Sequence, residues 1–313
     1  MIDKIFILRD RADMLAKARS FFHKRSVLEV DCPLITSAAS VDAHIDLIPT
    51  LHGSETRYLH SSPEYGMKRL LSEGIGDIYQ LAHVFRQGEC SVKHNPEFTM
   101  AEWYRIGFSF EEMMEETLDF VRLFVGDLPG HVISYRDAIQ RYTGIDYLHA
   151  SEDDLVHYLE EHHLPIYPGA KDEGKNALLN LLLGMCVEPH LGQDQLCALA
   201  YYPSSQAALA QTRMHGDEPV AERFEVYYRG IELANGYHEL ADASEQRARL
   251  MEANEHRKEL GKEGLPIDEH FLKALQKGLP DCCGVAVGFD RLMMLRHGRD
   301  NIADVIPFGW HDS

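Results

Sequence analysis

Three stretches of this sequence gather charged and aromatic side chains at spacings that chemistry can use. The first runs from Phe85-Arg86 to His94-Asn95-Pro96-Glu97-Phe98-Thr99-Met100-Ala101-Glu102-Trp103-Tyr104. Strand side chains alternate, so Phe98, Met100, Glu102 and Tyr104 share one face. That face offers a ring for stacking, then a carboxylate beside a phenol. A carboxylate among Phe and Met needs a cation, and Arg86 has the forked donors that meet a phosphate. From spacing alone, a binding site and an ordinary solvated hairpin both remain open.

The second stretch, Arg223 to Leu240, sets Glu225, Glu232, Asn235 and Glu239 in an apolar run. Such acids are oxygen ligands for Mg²⁺ or a pocket for an ammonium group; an edge strand with a polar outer face is the alternative. Glu232 and Asn235 differ in strand parity, so a bend is expected, with Asn235-Gly236 to supply it. The third stretch is Gly284-Val-Ala-Val-Gly288-Phe-Asp-Arg291. Gly288 opens a helix and Arg291 falls in its first turn, where a cation opposes the helix dipole and calls for an anion. A surface pair with Asp290 would also serve. Glu64 complements a helix N-terminus, and Lys68 and Arg69 are expected on a solvated face. The histidines form no spaced pair of metal ligands.

The elements that position these groups follow from pattern and punctuation. Residues 9–25 form an amphipathic helix with Leu15, Ala18 and Phe22 on one stripe. Val27 to Pro33 is a strand, and Ser62-Pro63-Glu64 starts a helix that buries Met67, Leu70 and Leu71. Residues 77–86 and 97–105 are strands joined by a polar loop. Ser109-Phe-Glu-Glu112 is a capping box for a helix to Val125, and Ser151-Glu-Asp-Asp154 caps a shorter one. Residues 195–202 and 222–233 are strand-like. Asp242 caps a charged helix to Leu260, Gly284–Val287 is a buried strand, and 289–297 a helix. The irregular interleaving predicts an α+β fold with a mainly antiparallel sheet flanked by helices. A single domain is expected over residues 1–313, with 131–190 as a candidate helical insertion.

Composition narrows the function. Hydrophobic residues make up 45% and charged residues 26%, as in soluble globular proteins. The mixed, charged start does not read as a signal peptide, and none is expected. The longest apolar run, Ala177 to Val187, is broken by Asn180 and is too short to span a bilayer, so it is expected as a buried helix. Cys32, Cys90, Cys186, Cys197, Cys282 and Cys283 form no CxxC pair, which fits buried thiols in a reducing cytoplasm. A net charge of -19 counts against a polyanionic partner. There is no GxxxxGK[ST] loop, and Gly74-Ile75-Gly76 lacks the third glycine of a dinucleotide fingerprint. GxSxG and HExxH are absent too.

The three stretches resemble the signature motifs of class II aminoacyl-tRNA synthetases. Val27-Leu-Glu-Val-Asp-Cys-Pro33 looks like the first motif, Phe85-Arg86 through Tyr104 like the second, and Gly284 to Leu292 like the third. The likeness spans residues 9 to 308, and the HNPEFTM and ELANGYHEL segments point to the lysine branch. The HIGH and KMSKS signatures of class I are absent. The first motif starts near residue 27, so no N-terminal anticodon-binding domain is expected. This layout is similar to freestanding paralogues that attach β-lysine to a lysine of elongation factor P. His60 to Leu71, Ser205 to Gln211 and Ala221 to Tyr228 look like that group in particular.

The resemblance implies ATP and Mg²⁺ as cofactors, and a homodimer built on the first motif. It implies a lysine or β-lysine substrate and elongation factor P as acceptor, with no tRNA and no membrane. Arg86 and Arg291 would be catalytic: Arg86 on the α-phosphate, Arg291 on the γ-phosphate of a bent ATP. Phe98 would stack on adenine, with Gln87, Gly88, Glu89, His94, Asn95 and Leu233 at the nucleotide and Gly288 letting it approach the backbone. Glu225 and Glu232 would carry Mg²⁺. Glu102, Tyr104 and Glu239 would receive the distal ammonium of the substrate, Ser62, Pro63 and Glu64 would face its other amine, and Asn235 would line the same site. Two positions depart from the family. Gly88 stands where the second motif usually has Glu, with Glu89 one residue on. Ala286 stands where lysyl-tRNA synthetases have Gly, and its methyl would narrow the pocket in favour of β-lysine. The rival readings are a minimal tRNA-charging lysyl synthetase and a catalytically inactive synthetase-like regulator.

Overall fold

The computed structural model describes residues 3–38 and 40–313. The chain forms two compact units, residues 1–127 with 239–313, and residues 128–238.

In the first unit the hairpin strands Ile78–Phe85 and Glu97–Ile106 pair antiparallel, and Cys282–Gly288 adds antiparallel on the far side of Glu97–Ile106. The helix Lys4–His23 begins earlier than its apolar stripe indicates, because the Asp3 carboxylate accepts from Ile5 N and caps it. Its Phe22 ring stacks on Tyr79 at 4.1 Å between ring centres and meets Trp103 at 5.2 Å. The Trp103 indole donates to Glu116 on the helix Phe110–Val125, whose Ser109–Glu112 capping box forms as expected. The expected strand at Val27–Pro33 shrinks to Leu28–Glu29, parallel to Ile78–Tyr79. It stops because Cys32 N donates to the Gln80 side chain and Pro33 follows. A small three-stranded sheet, Ile35–Thr36, Pro49–His52 and Glu55–Leu59, has no counterpart in the sequence reading.

In the second unit Leu196–Pro203, Glu218–Tyr228 and Ile231–His238 form an antiparallel set, with Gly130–Ser134 parallel to Leu196–Pro203. The run expected as one strand over 222–233 is therefore two. Arg229 (φ 52°) and Gly230 (φ 67°) turn the chain between them, both in the left-handed region that tight hairpins require. The bend expected at Asn235-Gly236 is not made, since both residues stay in the ladder opposite Glu225 and Phe224. Helices Tyr135–Thr143, Glu152–Glu161 and Lys175–Leu182 cover the sheet around a core that includes Tyr135, Leu159, Leu182 and Tyr227. The expected helix over 177–187 is α-helical to Leu182 and then opens into a π turn, Leu183–Val187.

Candidate active site

The face predicted from strand alternation is present. Tyr104 OH donates to Glu102 Oε1 at 2.7 Å, two residues along the same strand, and Ser62 Oγ donates to Glu102 Oε2 at 2.7 Å. Ser62 Oγ also accepts from Glu64 N, ending the coil at Pro63 and starting the helix Glu64–Ser72. Glu102 is 2% exposed, and among the described residues no cation pairs with it. Burial, then the charge of Glu64, pushes its carboxyl up to about 8 against the opposing hydrogen bonds.

Lys68 corrects the expectation of a solvated face. Arg69 is exposed, but the Lys68 side chain is wholly buried, with Nζ 2.5 Å from Glu64 Oε1 and 2.5 Å from Glu239 Oε2. Burial alone would lower its pKa; Glu239 and then Glu64 reverse the shift and hold it raised, so the ammonium is charged. Glu64 is thus more than a complement to its helix N-terminus. Glu239 is placed by its N–H, which donates to Cys282 O. The register sets Gly284 opposite Tyr104 and Ala286 opposite Glu102, so the Ala286 methyl borders the carboxylate. A Cβ on Gly284 would lie 2.3 Å from the Tyr104 ring and 2.4 Å from Glu239 Oε1. The pocket is built on the space that this glycine leaves.

A second cluster lies at the other end of the hairpin. The Arg86 guanidinium sits over the Phe98 ring at 5.1 Å and 3.6 Å from Glu89, so Glu89 does reach the arginine across the displaced position. Gly88 has φ 79°, which a Glu there would adopt only with strain. Arg291, in the first turn of the helix Phe289–His297 that Gly288 caps, donates from Nη2 to His94 Nε2 at 2.7 Å. His94 Nδ1 is 2.9 Å from Ser91 Oγ, and burial followed by the Arg291 charge lowers its pKa, leaving it neutral. Asp290 does not pair with Arg291. It takes Arg11 Nη1 at 2.5 Å and Thr99 N at 2.8 Å. Asn95 accepts from Trp310 N and donates to Glu97 O, fixing the loop end. Gln87 N donates to Asp46 O, and the buried Arg257 holds that segment through Asp42 O, Ile45 O and the Asp46 carboxylate.

In the second unit a register shift next to Val226 pairs Glu225 with Asn235 and Tyr227 with Glu232. The extra residue is Leu233, and this bulge puts Glu225, Glu232 and Asn235 on one face. Each Glu225 oxygen accepts one bond, from Arg223 Nη2 at 2.6 Å and from Tyr227 OH at 2.5 Å. Asn235 Oδ1 is buried without a hydrogen-bond partner among the described residues. Two carboxylates and an amide oxygen are hard donors of the kind Mg²⁺ takes alongside phosphate oxygens and water. Among the described residues no group of three or more His, Cys, Asp or Glu forms a metal site, as that partial donor set implies.

Lys68, the Arg11–Asp290 pair and the Arg257 clamp were all missed in the sequence. Only Lys68 left a trace, its spacing of four from Glu64.

The fold is that of a class II synthetase catalytic domain, and the chain belongs to that family: the model for class II tRNA synthetases (D, K and N) matches residues 3–311. The chain is similar to curated proteins named elongation factor P–(R)-β-lysine ligase. The one from Avibacterium paragallinarum is 44% identical over 307 residues, covering 96% of this chain and 94% of that protein. That of Histophilus somni strain 2336 is 44% identical over 304 residues (95% and 93%), and that of Haemophilus influenzae strain PittGG 42% over 307 (96% and 94%). No helix among the described residues is long and apolar enough to cross a membrane.

Proposed function

We propose that this protein is an ATP-dependent ligase that activates lysine or β-lysine as the aminoacyl-adenylate and transfers it to a lysine side chain of elongation factor P. The observation that carries the reading is the buried acid pocket, Glu102 with Tyr104 and Ser62 beside the Lys68–Glu64–Glu239 triad, on the strands next to Arg86 and Arg291. In the first step a carboxylate oxygen of the amino acid attacks the α-phosphorus of ATP and pyrophosphate leaves. Arg86 neutralises charge at the α-phosphate and Arg291 holds the γ-phosphate. Phe98 stacks on adenine, with Gln87, Glu89, His94 and Asn95 along the nucleotide. Glu225 and Glu232 are the residues that would hold Mg²⁺, which would supply charge neutralisation at the phosphates. Glu102 and Tyr104 take the distal ammonium and Glu239 borders it, while Ser62 and Glu64 face the other amine. In the second step the acceptor lysine amine attacks the acyl carbon and AMP leaves. Positioning and electrostatics carry both steps, without a protein nucleophile.

The likeness to named ligases supports the acceptor, and the net charge of -19 supports a protein rather than a tRNA acceptor. We place the enzyme in the cytoplasm, as a homodimer across its first motif. The test is ATP–pyrophosphate exchange with α-lysine and β-lysine in parallel, then transfer to elongation factor P and to tRNA. Exchange strongest with β-lysine followed by label on the protein is expected. Label on tRNA would replace the ligase with an RNA-charging enzyme, and no exchange with any amino acid would leave a regulator.

A further inference from the structure

The pocket holds three carboxylates, Glu64, Glu102 and Glu239, and one internal cation. Lys68 Nζ pairs with two of them at 2.5 Å each while its side chain is 0% exposed. The aromatic face of Phe271 lies 5.9 Å from the ammonium and helps close it off from water. Glu102, bonded by Ser62 and Tyr104, has no such partner among the described residues. An exposed lysine at this spacing would contribute little. A buried one joins two acids from distant parts of the chain into a fixed arrangement, and its loss leaves both uncompensated.

We propose that Lys68 is a specificity-determining residue that sets the charge of the amino-acid pocket, so that it accepts a carboxylate substrate bearing two ammonium groups. Once an incoming ammonium has drawn the proton from Glu102, the three acids carry three negative charges, of which Lys68 cancels one and leaves two. A diamino acid supplies two positive charges; an amino acid with a single amine leaves one acid buried without a cation. By joining Glu64 to Glu239, Lys68 also fixes the separation of the acids assigned to the two amines. This inference rests on the amino-acid pocket assigned above, and it adds a residue that would act on the substrate through those acids.

The test compares lysine with 6-aminohexanoate, the same chain with one amine fewer, in ATP–pyrophosphate exchange by the full-length protein and by Lys68→Met. Methionine keeps the length of the side chain without its charge. The expected result is a KM for lysine raised about 100-fold in Lys68→Met, a KM for ATP within about threefold of the parent, and loss of most of the preference for lysine over 6-aminohexanoate. An equal fall in activity with both substrates, or a changed KM for ATP, would show a merely structural role and overturn the proposal. An unchanged lysine KM would overturn it as well. Should Lys68→Met fail to fold, Lys68→Gln is measured against the same two substrates, with ATP binding by the free protein as the check on folding. Absence of exchange in the parent protein would instead sink the adenylating reading, so the two failures are distinct.

Discussion

The buried acid cluster around Glu102, proposed as the amino-acid pocket, and the Arg86–Phe98 end of the hairpin, proposed to take the nucleotide, share strands but are built to different standards. In the pocket the Lys68 and Glu239 side chains are 0% and 1% exposed, and each acid is fixed by a lysine, a serine or a tyrosine. At the nucleotide end Arg86 and Glu89 remain 25% and 30% exposed and pair at only 3.6 Å. The contrast follows from the ligands. A small ammonium is recognised by desolvated charge, which is costly unless arranged in advance. A triphosphate, the ligand proposed for the Arg86 end, brings its own charge and can be met by half-exposed, hydrated donors.

The largest effect should come from the open side. Arg86→Ala is expected to lower exchange by about a thousandfold through kcat; a loss confined to the KM for ATP would make Arg86 a binding residue instead. Gly284→Ala sharpens the pocket side. With its Cβ forced to within 2.4 Å of Glu239 Oε1 and closer still to Tyr104, the variant should lose about 2–3 kcal/mol of stability together with most lysine binding, read by denaturant unfolding and calorimetric titration.

Glu102 supplies a pH dependence confined to the pocket. Its carboxyl is raised from 4.5 to about 8 in the folded protein. The unfolded chain therefore releases this proton first, and Glu102 draws stability down as pH rises from about 4.5 to about 8. Glu102→Gln should flatten that part of the stability profile. An incoming ammonium favours the ionised carboxylate, so lysine binding at pH 7 should release up to one proton, measurable by titration in buffers of different ionisation enthalpy. Proton release that persists in Glu102→Gln would assign it to another group. The smallest expected change is at Ala286→Gly, where removing the methyl opposite Glu102 should shift preference toward α-lysine by about tenfold; an unchanged ratio would remove Ala286 from specificity.

The two regions were not equally legible in the sequence. Strand alternation alone placed Phe98, Met100, Glu102 and Tyr104 on one face, and the caps at Ser109, Ser151 and Asp242 are where the helices begin. Arg291 in its helical first turn was legible for the same reason, since dipole and capping are local. Lys68 was misjudged because Glu64 and Lys68 alone look like a surface pair; the partner that buries them, Glu239, is brought in by tertiary folding. The 222–233 run concealed its turn because an arginine, not Asn or Gly, opens it at Arg229, and the parity of Glu232 and Asn235 is reconciled by the bulge at Leu233 rather than by the bend expected at Asn235-Gly236. The Arg86–Glu89 pair could not be read from the sequence, because it depends on how the loop folds around the displaced Gly88.

The Lys68–Glu239 pair also has a bearing on the order in which the chain is made. Lys68 belongs to the opening third of the chain, and Glu239 follows only after the whole second unit, residues 128–238, has been synthesised. The pair therefore cannot form until that unit has been synthesised, and the long loop it closes is the kind whose formation is slow. A nascent chain that ends at His238 carries Glu64, Lys68 and Glu102 but lacks Glu239, so the acid cluster is completed only when the last quarter of the chain arrives.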